Sequence, residues 1–417
     1  MRFPEGLRAF NHRDYRLFFT GQMISQIGTW MQSVGQSWLI VELTNSAFKL
    51  GLISTLQFLP TLLFALFGGA LADRLPKRKT LLGTQTAMML LAFGLSALVW
   101  SHKVQYWHVA VMALLLGLAN TLDVPVRQAF VVEMVEGNKA DMANAIALNS
   151  ALFNGARLLG PAVAGLMIAK WGEGLAFFLN GASFLAVLAA LVALKAEGHP
   201  KPRTKKSIVK DVVEGVRYSY RTPSIFFLLA LLLVVGLFVI NFGVLIPVMA
   251  NNVLNAGAEV YGYLMSALGA GALIGAMLLA VRKRTGRPNL TPLVTAALLL
   301  CTVTALMYLV HSFWVACAGL FLMGLSQIMY TADTNTTLQM LVPDELRGRV
   351  ISLYQLMFSG TTPVGSLITG AVIERYNGST GFLVDGGMGL ILAVGLIIWW
   401  RWKAGQKGPA GQPGLQV

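Results

Sequence analysis

Long apolar runs, separated by short polar connections, fill most of the chain. A helix needs about 20 consecutive, mainly apolar residues to cross a bilayer. Twelve stretches meet this requirement, at roughly 16–40, 48–72, 80–100, 105–127, 142–170, 174–195, 223–250, 259–281, 289–310, 313–340, 347–374 and 380–400. The pattern therefore predicts an all-α membrane protein with twelve transmembrane helices.

One long polar connection interrupts this series of helices. It covers residues 196–222, between the sixth and seventh predicted spans, and divides the chain into six helices plus six. We expect an N-terminal six-helix bundle at 1–195, a C-terminal six-helix bundle at 223–402 and a cytoplasmic tail at 403–417. The tail is rich in Gly, Pro and Gln, which is a composition typical of disorder.

The basic linker ends in a predicted amphipathic helix near residues 207–221. Val209, Val212, Val213 and Val216 form its apolar side. Helices of this kind lie on a membrane surface with the apolar side in the lipid, and anionic headgroups attract their positive charges. We expect this helix on the cytoplasmic surface, so membrane lipids are predicted partners.

Charge is scarce, and its distribution predicts the topology. Only 12% of the 417 residues are charged, compared with roughly 25% in soluble domains. The net charge of +14 is spread over short loops, which favours membrane topology over nucleic-acid binding. With a cytoplasmic N-terminus, 27 of the 32 Lys and Arg residues fall on the cytoplasmic side. Because cytoplasmic loops carry such an excess, both termini are predicted to be inside the cell.

Arg157 is the one cation that this topology places inside a span. The opposite side of the membrane holds four cations, Lys49, Lys103, Lys170 and Arg375. A charged side chain at the centre of a membrane helix costs about 3 kcal/mol on insertion scales. Two interpretations stay open for Arg157. It pairs with an acid such as Asp333 or with backbone carbonyls, or it faces a cavity and binds an anionic or catecholate-like group through its planar guanidinium.

The second half of the chain echoes the first. A shift of 205 residues superimposes predicted helices 5 and 6 on helices 11 and 12. Aligned pairs include Gly160 with Gly365, Gly165 with Gly370, Asn180 with Asp385 and Arg157 with Thr362. This alignment favours two parallel six-helix repeats. Because Thr362 occupies the position equivalent to Arg157, the shared architecture does not require an arginine there.

The loop after the second predicted span, GGALADRLPKRK at 68–79, combines an acid with a cluster of bases. It resembles the signature loop of the major facilitator superfamily, with Gly69, Asp73, Arg74, Lys77 and Arg78 in the matching places. The resemblance implies a cytoplasmic gate in which Asp73 faces the start of helix 11. We expect Lys77 or Arg78 to pair with Asp123 as a latch. The alternative is a simple positive loop, and Pro76 stands where the family usually has glycine.

Four further stretches resemble the exporter subgroup that contains bacterial enterobactin exporters. They are NHRDYRLFFTGQMISQIGTWMQ, DVPVRQAFVVEMV, RLLGPAVAG and TTLQMLVPDELRGRVISLY. GARLLGPAVAG also partly matches the antiporter motif of drug exporters, through Gly160, Pro161 and Gly165. Ala156 and Ala164 replace two of the expected glycines. The resemblance implies that this motif shapes a contact between helices 5 and 11 and favours export.

Polar residues form a stripe on the first predicted helix. Gln22, Gln26, Thr29, Ser33 and Gln36 are spaced 4, 3, 4 and 3 residues apart, which places them on one face. Amides facing lipid are unfavourable, so the stripe faces either a wet cavity or neighbouring helices. We assign substrate binding in such a cavity to Arg157, Gln22, Gln26, Trp30, Asn120, Asn154, Asn241 and Phe358.

The stripe contains no acid, although many proton-driven drug exporters have one in helix 1. The candidates for proton coupling are therefore Asp333, towards the inner end of helix 10, and Asp123, at the end of helix 4. A buried carboxyl group can exchange protons. Asp385 and Glu42 are expected to be solvated near the outer face.

Together these features predict a secondary active transporter that works by alternating access around a midplane cavity. The family resemblance implies proton-coupled export of a small amphipathic compound, such as a siderophore or drug. The alternatives are a facilitator or importer of a small metabolite or lipid, a membrane-embedded enzyme, or a non-transporting sensor. The spans contain neither a histidine cluster nor a paired nucleophile and base, which argues against an enzyme.

No cofactor, metal or nucleic acid is predicted. The chain contains no glycine-rich phosphate loop that would imply direct use of ATP. Cys301 and Cys317 fall in separate apolar runs, where we expect them to pack as core residues. The predicted partners are a small-molecule substrate, protons as coupling ion, and lipids. We expect a monomer in the bacterial inner membrane.

Overall fold

The computed structural model describes residues 3–135, 139–199, 208–282 and 290–405. Side chains are described in these ranges except at 65–73, 139, 208–211, 344–345 and 404–405. Residues 200–207 of the predicted linker and 406–417 of the predicted tail therefore lie outside the described residues. The described ranges contain helices and no strand, so the all-α fold class is confirmed.

Fifteen α-helices occupy the described ranges. In chain order they are α1 (Arg13–Thr44), α2 (Ala47–Arg74), α3 (Lys77–Trp100), α4 (Tyr106–Met134), α5 (Lys139–Trp171), α6 (Glu173–Ala193), α7 (Ile208–Arg221), α8 (Pro223–Phe238), α9 (Phe242–Val248), α10 (Ala258–Val281), α11 (Thr291–Leu306), α12 (Phe313–Leu341), α13 (Asp344–Gly360), α14 (Thr362–Arg375) and α15 (Gly378–Gly405). Short 3-10 helices cover Glu5–Asn11 and Met307–Leu309, and a π-helical turn covers Met249–Val253.

Eleven helical stretches of the described residues are long and apolar enough to cross a membrane. They coincide with the second to twelfth predicted spans. The stretch Pro223–Val253 corresponds to the seventh predicted span and combines α8 and α9. The stretch Leu346–Arg375 corresponds to the eleventh predicted span and contains most of α13 and all of α14. The first predicted span is α1, which has 32 residues. At 1.5 Å per residue such a helix is about 48 Å long, more than the roughly 30 Å of a hydrocarbon core. Its glutamines are the reason that composition alone does not identify it as a span.

Prolines lie inside several helices, and one span is broken. Pro60, Pro125 and Pro161 lie inside α2, α4 and α5, where each removes one backbone donor. The seventh span is broken more completely, because α8 ends at Phe238 and α9 begins at Phe242. The break places the backbone before α9 in a non-helical conformation, and Asn241 precedes the first residue of α9.

The chain divides into two compact units. The first contains Met1–Asn45, Leu59–Lys205 and Ala256–Ser266, and the second contains Ser46–Phe58, Lys206–Asn255 and Ala267–Val417. Two of the divisions fall within α2 and α10, so each of these helices contributes to both units.

In the first unit, α1 packs against α5 and α6, and α3 packs against α4 and α6. Small residues allow the close approach of α1 and α6. A Cβ atom added at Gly28 would lie 2.5 Å from the Ser183 hydroxyl oxygen. Near the start of α1, the buried aromatic side chains of Tyr15, Phe18 and Phe130 belong to one hydrophobic core. This packing holds α1, α4 and α5 as the framework of the site.

In the second unit, α15 packs against α8, α11 and α14, and α11 packs against α12. The start of α2 also belongs here. The Thr55 hydroxyl group donates a hydrogen bond to the Pro363 carbonyl of α14, with a distance of 2.7 Å. Gly51 permits this approach, because a Cβ atom there would overlap the backbone carbonyl of Ser366.

The amphipathic helix α7 packs against α13 in the second unit. The Glu214 carboxylate forms an ion pair with Arg349, with 2.8 Å between Oε2 and Nη1. On another side of α7, Val213, Val216 and Tyr220 have exposed fractions of 60%, 49% and 74%. The Val209 side chain, assigned to the apolar side of this helix, lies outside the described residues.

Candidate functional site

A cavity of about 600 Å³ lies in the first unit between α1, α4 and α5. Its lining mixes apolar side chains with amides, one hydroxyl and one guanidinium: Phe18, Gln22, Gln26, Arg127, Gln128, Val131, Val132, Ile146, Asn149, Ser150, Leu152, Phe153 and Asn154. Its volume falls within the roughly 300–1,000 Å³ typical of small-molecule sites. The cavity therefore has the size and the mixed chemistry of a site for an amphipathic compound.

Arg127 of α4 is the charged side chain of this lining. Its Nη1 atom donates a hydrogen bond of 2.9 Å to Oε1 of Gln22 on α1. Its Nε atom lies 3.5 Å from Oδ2 of Asp123, one turn earlier on α4. A guanidinium carries five N–H donors in a rigid fork. Two of these donors bind Gln22 and Asp123 among the described residues, so the rest of the fork can donate to an oxygen-bearing substrate in the cavity.

Asp123 anchors Arg127 from behind the cavity wall. It is 1% exposed, and its Oδ1 atom accepts hydrogen bonds of 2.8 Å from both the Thr84 hydroxyl and the Gln85 amide of α3. Buried charges are tolerated when they are paired and hydrogen-bonded. The network thus connects α1, α3 and α4, and it fixes the direction in which the guanidinium points.

The helix around Arg127 is longer than the sequence pattern indicated. The fourth predicted span ends at residue 127, and the topology counts Arg127 on the cytoplasmic side. In the structure α4 continues to Met134, so Arg127 lies within a helix and not in a loop. Pro125 and the nearby charges look like a helix end, whereas a paired and hydrogen-bonded charge is compatible with a helix interior.

Arg157 and Trp30 lie next to the cavity lining. Phe153, which lines the cavity, contacts Trp30 edge to face with 5.7 Å between ring centroids. The Cζ atom of Arg157 lies 6.0 Å from the Trp30 ring centroid. This distance is at the outer limit of a cation–π contact. The arrangement brings the two predicted residues together, one layer behind Phe153.

The antiporter-like motif packs α5 against two other helices. A Cβ atom added at Gly160 would lie 2.5 Å from the Trp30 Cβ atom of α1. One added at Gly165 would lie 2.8 Å from the Gly262 Cα atom of α10. Pro161 contributes to the same crossing through its carbonyl oxygen. In the described residues these close approaches involve α1 and α10, whereas the family resemblance implies a contact with helix 11.

The remaining residues assigned to substrate binding are distributed more widely. Asn120 is half-buried on α4, two turns before Arg127, and does not line this cavity. Phe358 belongs to the second unit, where its ring stacks on Tyr354 with 6.2 Å between centroids. Asn241, also in the second unit, is 1% exposed and donates to the Asp385 carboxylate and to the Leu237 carbonyl. Of the eight assigned residues, Gln22, Gln26 and Asn154 line the described cavity.

The bases of the signature loop bind within the first unit. Lys77 is fully buried, and its Nζ atom lies 2.7 Å from a Glu133 carboxylate oxygen and 3.0 Å from the His199 carbonyl oxygen. Arg78 donates to the carbonyls of Leu191 and Val192 at the end of α6. In this structure Asp123 is paired with Arg127 instead, so a latch between Asp123 and Lys77 or Arg78 stays a prediction.

Three further residues, Gly69, Asp73 and Arg74, belong to the predicted gate. Arg74 is exposed at the end of α2. The side chains of Gly69 and Asp73 lie outside the described residues. Their role in a gate therefore stays a prediction from the family resemblance.

Two of the three remaining acids differ from expectation. Asp333 forms an ion pair of 2.8 Å with Arg282 at the end of α10, so it is not an isolated buried carboxyl group. Glu42 is exposed, as expected, and accepts a hydrogen bond from the Trp38 indole. Asp385, which was expected to be solvated, is fully buried. The prediction of a solvated Asp385 was based on its position near the start of a span. It was wrong because α8 and α14 pack against α15.

Sequence reasoning missed four polar residues of the lining, namely Arg127, Gln128, Asn149 and Ser150. On α5, Asn149, Phe153 and Arg157 recur every fourth residue and share one face. The same periodicity that identified the stripe on α1 was therefore present in α5. In the described residues, no group of three His, Cys, Asp or Glu side chains is placed to hold a metal ion.

Comparison with known proteins decides the family. The model of the transmembrane secretion effector family matches residues 5–408. The chain belongs to this family. It lies within the major facilitator superfamily, so the resemblance drawn from the signature loop is confirmed. The chain is accordingly a multi-pass membrane transporter.

Two curated relatives and a solved structure illustrate the likeness. The staphyloferrin A transporter of Staphylococcus aureus is 25% identical over 357 residues, which cover 85% of this chain and 88% of the relative. The multidrug efflux pump Tap of Mycolicibacterium fortuitum is 27% identical over 359 residues, covering 83% and 86%. A peptide transporter crystallised with sulfate has a TM-score of 0.72 at 16% identity and covers 94% of each chain. The matching family and both curated relatives are transporters, so the prediction of a transporter rather than an enzyme is confirmed.

Proposed function

We propose that this member of the transmembrane secretion effector family exports a small amphipathic compound by alternating access, in exchange for protons. It works as a monomer in the bacterial cytoplasmic membrane with both termini inside the cell. The export direction is supported by the relative named as a multidrug efflux pump. The orientation is supported by the 27 of 32 cations assigned to the cytoplasmic side.

The cavity beside Arg127 is the observation that carries this proposal. Phe18, Ile146 and Phe153 offer an apolar surface, while Gln22 and Asn154 offer amides. Small-molecule sites combine a mainly apolar wall with a few polar groups that fix orientation. A compound with an aromatic or aliphatic body and a polar end fits both parts of this lining.

The polar end of the substrate is oxygen-rich and anionic in this proposal. Arg127 lines the cavity, and Arg157 lies behind Phe153 and Trp30. A guanidinium matches the two oxygens of a carboxylate or a catecholate in bidentate fashion. Arg127 makes the first contact, and Arg157 supplies a second positive group as α1 and α5 move during transport. The relative named as a staphyloferrin A transporter supports a siderophore-like substrate class.

The other assigned residues keep their proposed roles. Asn120, Asn241 and Phe358 contribute to substrate passage in a state other than the described one. Gly69, Asp73 and Arg74 form the cytoplasmic gate, while Gly160, Pro161 and Gly165 set how closely α5 approaches its neighbours. These roles rest on the family resemblance and on the packing of the motif against α1 and α10.

Asp123 and Asp333 are the proposed proton-coupling acids of the cycle. Each forms an ion pair with an arginine, Asp123 with Arg127 and Asp333 with Arg282. Protonation of either carboxylate removes its negative charge and breaks the pair. Proton binding at Asp123 would therefore change the position of the guanidinium that contacts the substrate.

Identification of the substrate is the experiment that tests this proposal. Mass spectrometry compares the metabolites retained in cells that lack the protein with those retained in cells that overproduce it. We expect one amphipathic anion to accumulate inside the deletion strain and to decrease on overproduction. Overproduction of Arg127→Gln should not decrease it, while the exposed-residue control Lys79→Gln should. Retention of the compound only in the overproducing strain would contradict export and favour the importer alternative.

A further inference from the structure

A buried acid in the second unit is missing one hydrogen-bond donor. Asp385 of α15 is fully buried. Its Oδ2 atom accepts hydrogen bonds from the Thr369 hydroxyl at 2.6 Å and from the Asn241 amide at 3.5 Å. Its Oδ1 atom has no hydrogen-bond partner among the described residues. A buried carboxylate oxygen without a donor carries the full cost of its desolvation.

The neighbouring Asn241 amide also lacks a hydrogen-bond donor for its oxygen. The Oδ1 atom of Asn241 is also buried and has no donor among the described residues. Its amide nitrogen is used, because it donates to the Leu237 carbonyl and to Asp385. A proton bound by Asp385 removes its negative charge and adds one O–H donor next to the Asn241 amide. A neutral carboxyl group has one O–H donor, and this O–H can donate to the amide oxygen, whereas an ionised carboxylate only accepts.

The equivalent position of the first unit contains an amide and shows no such deficit. A shift of 205 residues aligns Asn180 of α6 with Asp385 of α15. The Asn180 amide nitrogen donates to Gln32 of α1 at 2.5 Å, and its oxygen accepts from the Ser183 hydroxyl at 3.3 Å. In the first unit the buried side chain at this position therefore forms its hydrogen bonds with neutral side chains. The acid in the second unit introduces a titratable hydrogen at the same place in the repeat.

The position of this pair is suited to movement. Asn241 precedes α9, at the break between α8 and α9 in the seventh span. Transporters place ion sites at interrupted helices, because the unwound backbone can rearrange. A change in the helix break moves Asn241 relative to Asp385, and the loss of the acceptor for its O–H favours release of the proton.

Few charged groups surround Asp385. The titratable side chains on α15 and on the described elements packed against it are Cys301, Tyr308, Glu374, Arg375, Arg401 and Lys403. None of them is a hydrogen-bond or ion-pair partner of Asp385. Glu374 lies about a turn and a half beyond Thr369 and accepts a hydrogen bond from Ser46. The charge of Asp385 is therefore not balanced by a neighbouring cation in the described residues, and a bound proton is the simplest compensation.

From these contacts we infer that Asp385, paired with Asn241, is a proton-binding site of the transport cycle. This inference deepens the proposed exchange of the substrate for protons and rests on it for the coupling role. It adds a site to the two ion-paired acids, Asp123 and Asp333. The proton resides on Oδ1 of Asp385 and is shared with the Asn241 oxygen.

Infrared spectroscopy of the purified protein tests proton binding without any transported substrate. The protein is labelled with carbon-13 aspartate and recorded at neutral pH in sodium-free buffer. We expect a C=O stretch of a protonated carboxyl group in the wild type that shifts to lower frequency with the label and is lost in Asp385→Asn. In Asp385→Glu a protonated carboxyl band should remain but without the isotope shift, because the label is on aspartate. Asp385→Asn should fold, because the equivalent residue of the first unit is Asn180. The matched control Glu374→Gln, at an exposed acid of the same unit, should leave the band unchanged.

A second variant separates proton binding from a purely structural role. Asn241→Leu removes the acceptor of the O–H group, so the band should shift in frequency rather than disappear. A wild-type spectrum without a protonated aspartate band would overturn the inference. Loss of the band on adding sodium chloride at constant pH would also overturn it, because that result would mean that the Asp385–Asn241 pair binds sodium ions. Since neither readout needs transport, a failure of the export proposal leaves the spectroscopic result interpretable.

Accumulation of carboxyfluorescein, an amphipathic anion, in everted vesicles tests the coupling role. We expect the response to an imposed pH gradient to fall at least about tenfold in Asp385→Asn, which is about 1.4 kcal/mol, while Glu374→Gln responds like the wild type. An unchanged response of Asp385→Asn to the gradient would overturn the coupling role.

Discussion

Replacing Arg127 with glutamine removes the cation that neutralises a buried carboxylate. Asp123 is 1% exposed, and the Nε atom of Arg127 lies 3.5 Å from its Oδ2 atom. Removing one partner of a buried ion pair costs about 3–5 kcal/mol. Here the cost should be lower, about 2 kcal/mol, because the Arg127 side chain is 23% exposed and Asp123 keeps its hydrogen bonds from Thr84 and Gln85.

The double variant Asp123→Asn/Arg127→Gln distinguishes loss of an ion pair from loss of packing. An asparagine at this position keeps an oxygen that accepts from Thr84 and Gln85, and it leaves no buried charge. We therefore expect the double variant to be more stable than the sum of the two single variants implies, by at least about 1 kcal/mol.

Equilibrium unfolding in mixed micelles, followed by circular dichroism, measures these differences. The exposed-cation control Lys79→Gln should stay within about 0.5 kcal/mol of the wild type. The reasoning is refuted if Arg127→Gln is as stable as this control, or if the effects of the two single variants add without coupling. Either result would mean that the charge of Asp123 is not compensated by Arg127.

Further predictions concern packing, the loop and the substrate. Gly165→Val should abolish transport and lower stability, because a Cβ atom there would lie 2.8 Å from the α10 backbone. The control Gly155→Ala should be tolerated, because its Cβ atom enters open space. Transport and thermal-stability assays compare the two variants. Glu133→Gln should destabilise the protein by about 3 kcal/mol, since it removes the carboxylate from the fully buried Lys77, and unfolding equal to that of the wild type would contradict this. Arg157→Lys keeps the charge but loses the planar fork, so the apparent KM for the exported compound should rise about tenfold, or about 1.4 kcal/mol; an unchanged KM excludes bidentate recognition by this side chain.

The spans were predictable from sequence because the bilayer imposes a simple requirement. A lipid-exposed helix needs about 20 apolar residues, and this requirement leaves a direct record in the chain. Eleven predicted spans coincide with helices that meet it, and the polar stripe of the first predicted helix identified Gln22 and Gln26, which line the cavity. Length and apolar content are local properties, so a single sequence reveals them.

The charged network was not predictable in the same way. Arg127 looked like a loop residue because Pro125 and several polar residues end the apolar run. Its partners Gln22 and Gln85 come from α1 and α3, and such contacts depend on packing between helices. For the same reason Asp385 was expected to be solvated. Its burial depends on α8, α11 and α14, which no local pattern around residue 385 records.

Transport in vesicles of defined orientation tests the proposed export through the Arg127 cavity most directly. The compound identified by mass spectrometry is supplied to everted vesicles with an acidic interior. We predict that it accumulates inside these vesicles when the wild-type protein is present, and that Arg127→Gln reduces the initial rate at least about tenfold, or about 1.4 kcal/mol, while Lys79→Gln does not. Accumulation only in right-side-out vesicles, or equal rates for Arg127→Gln and the wild type, would contradict export through this cavity.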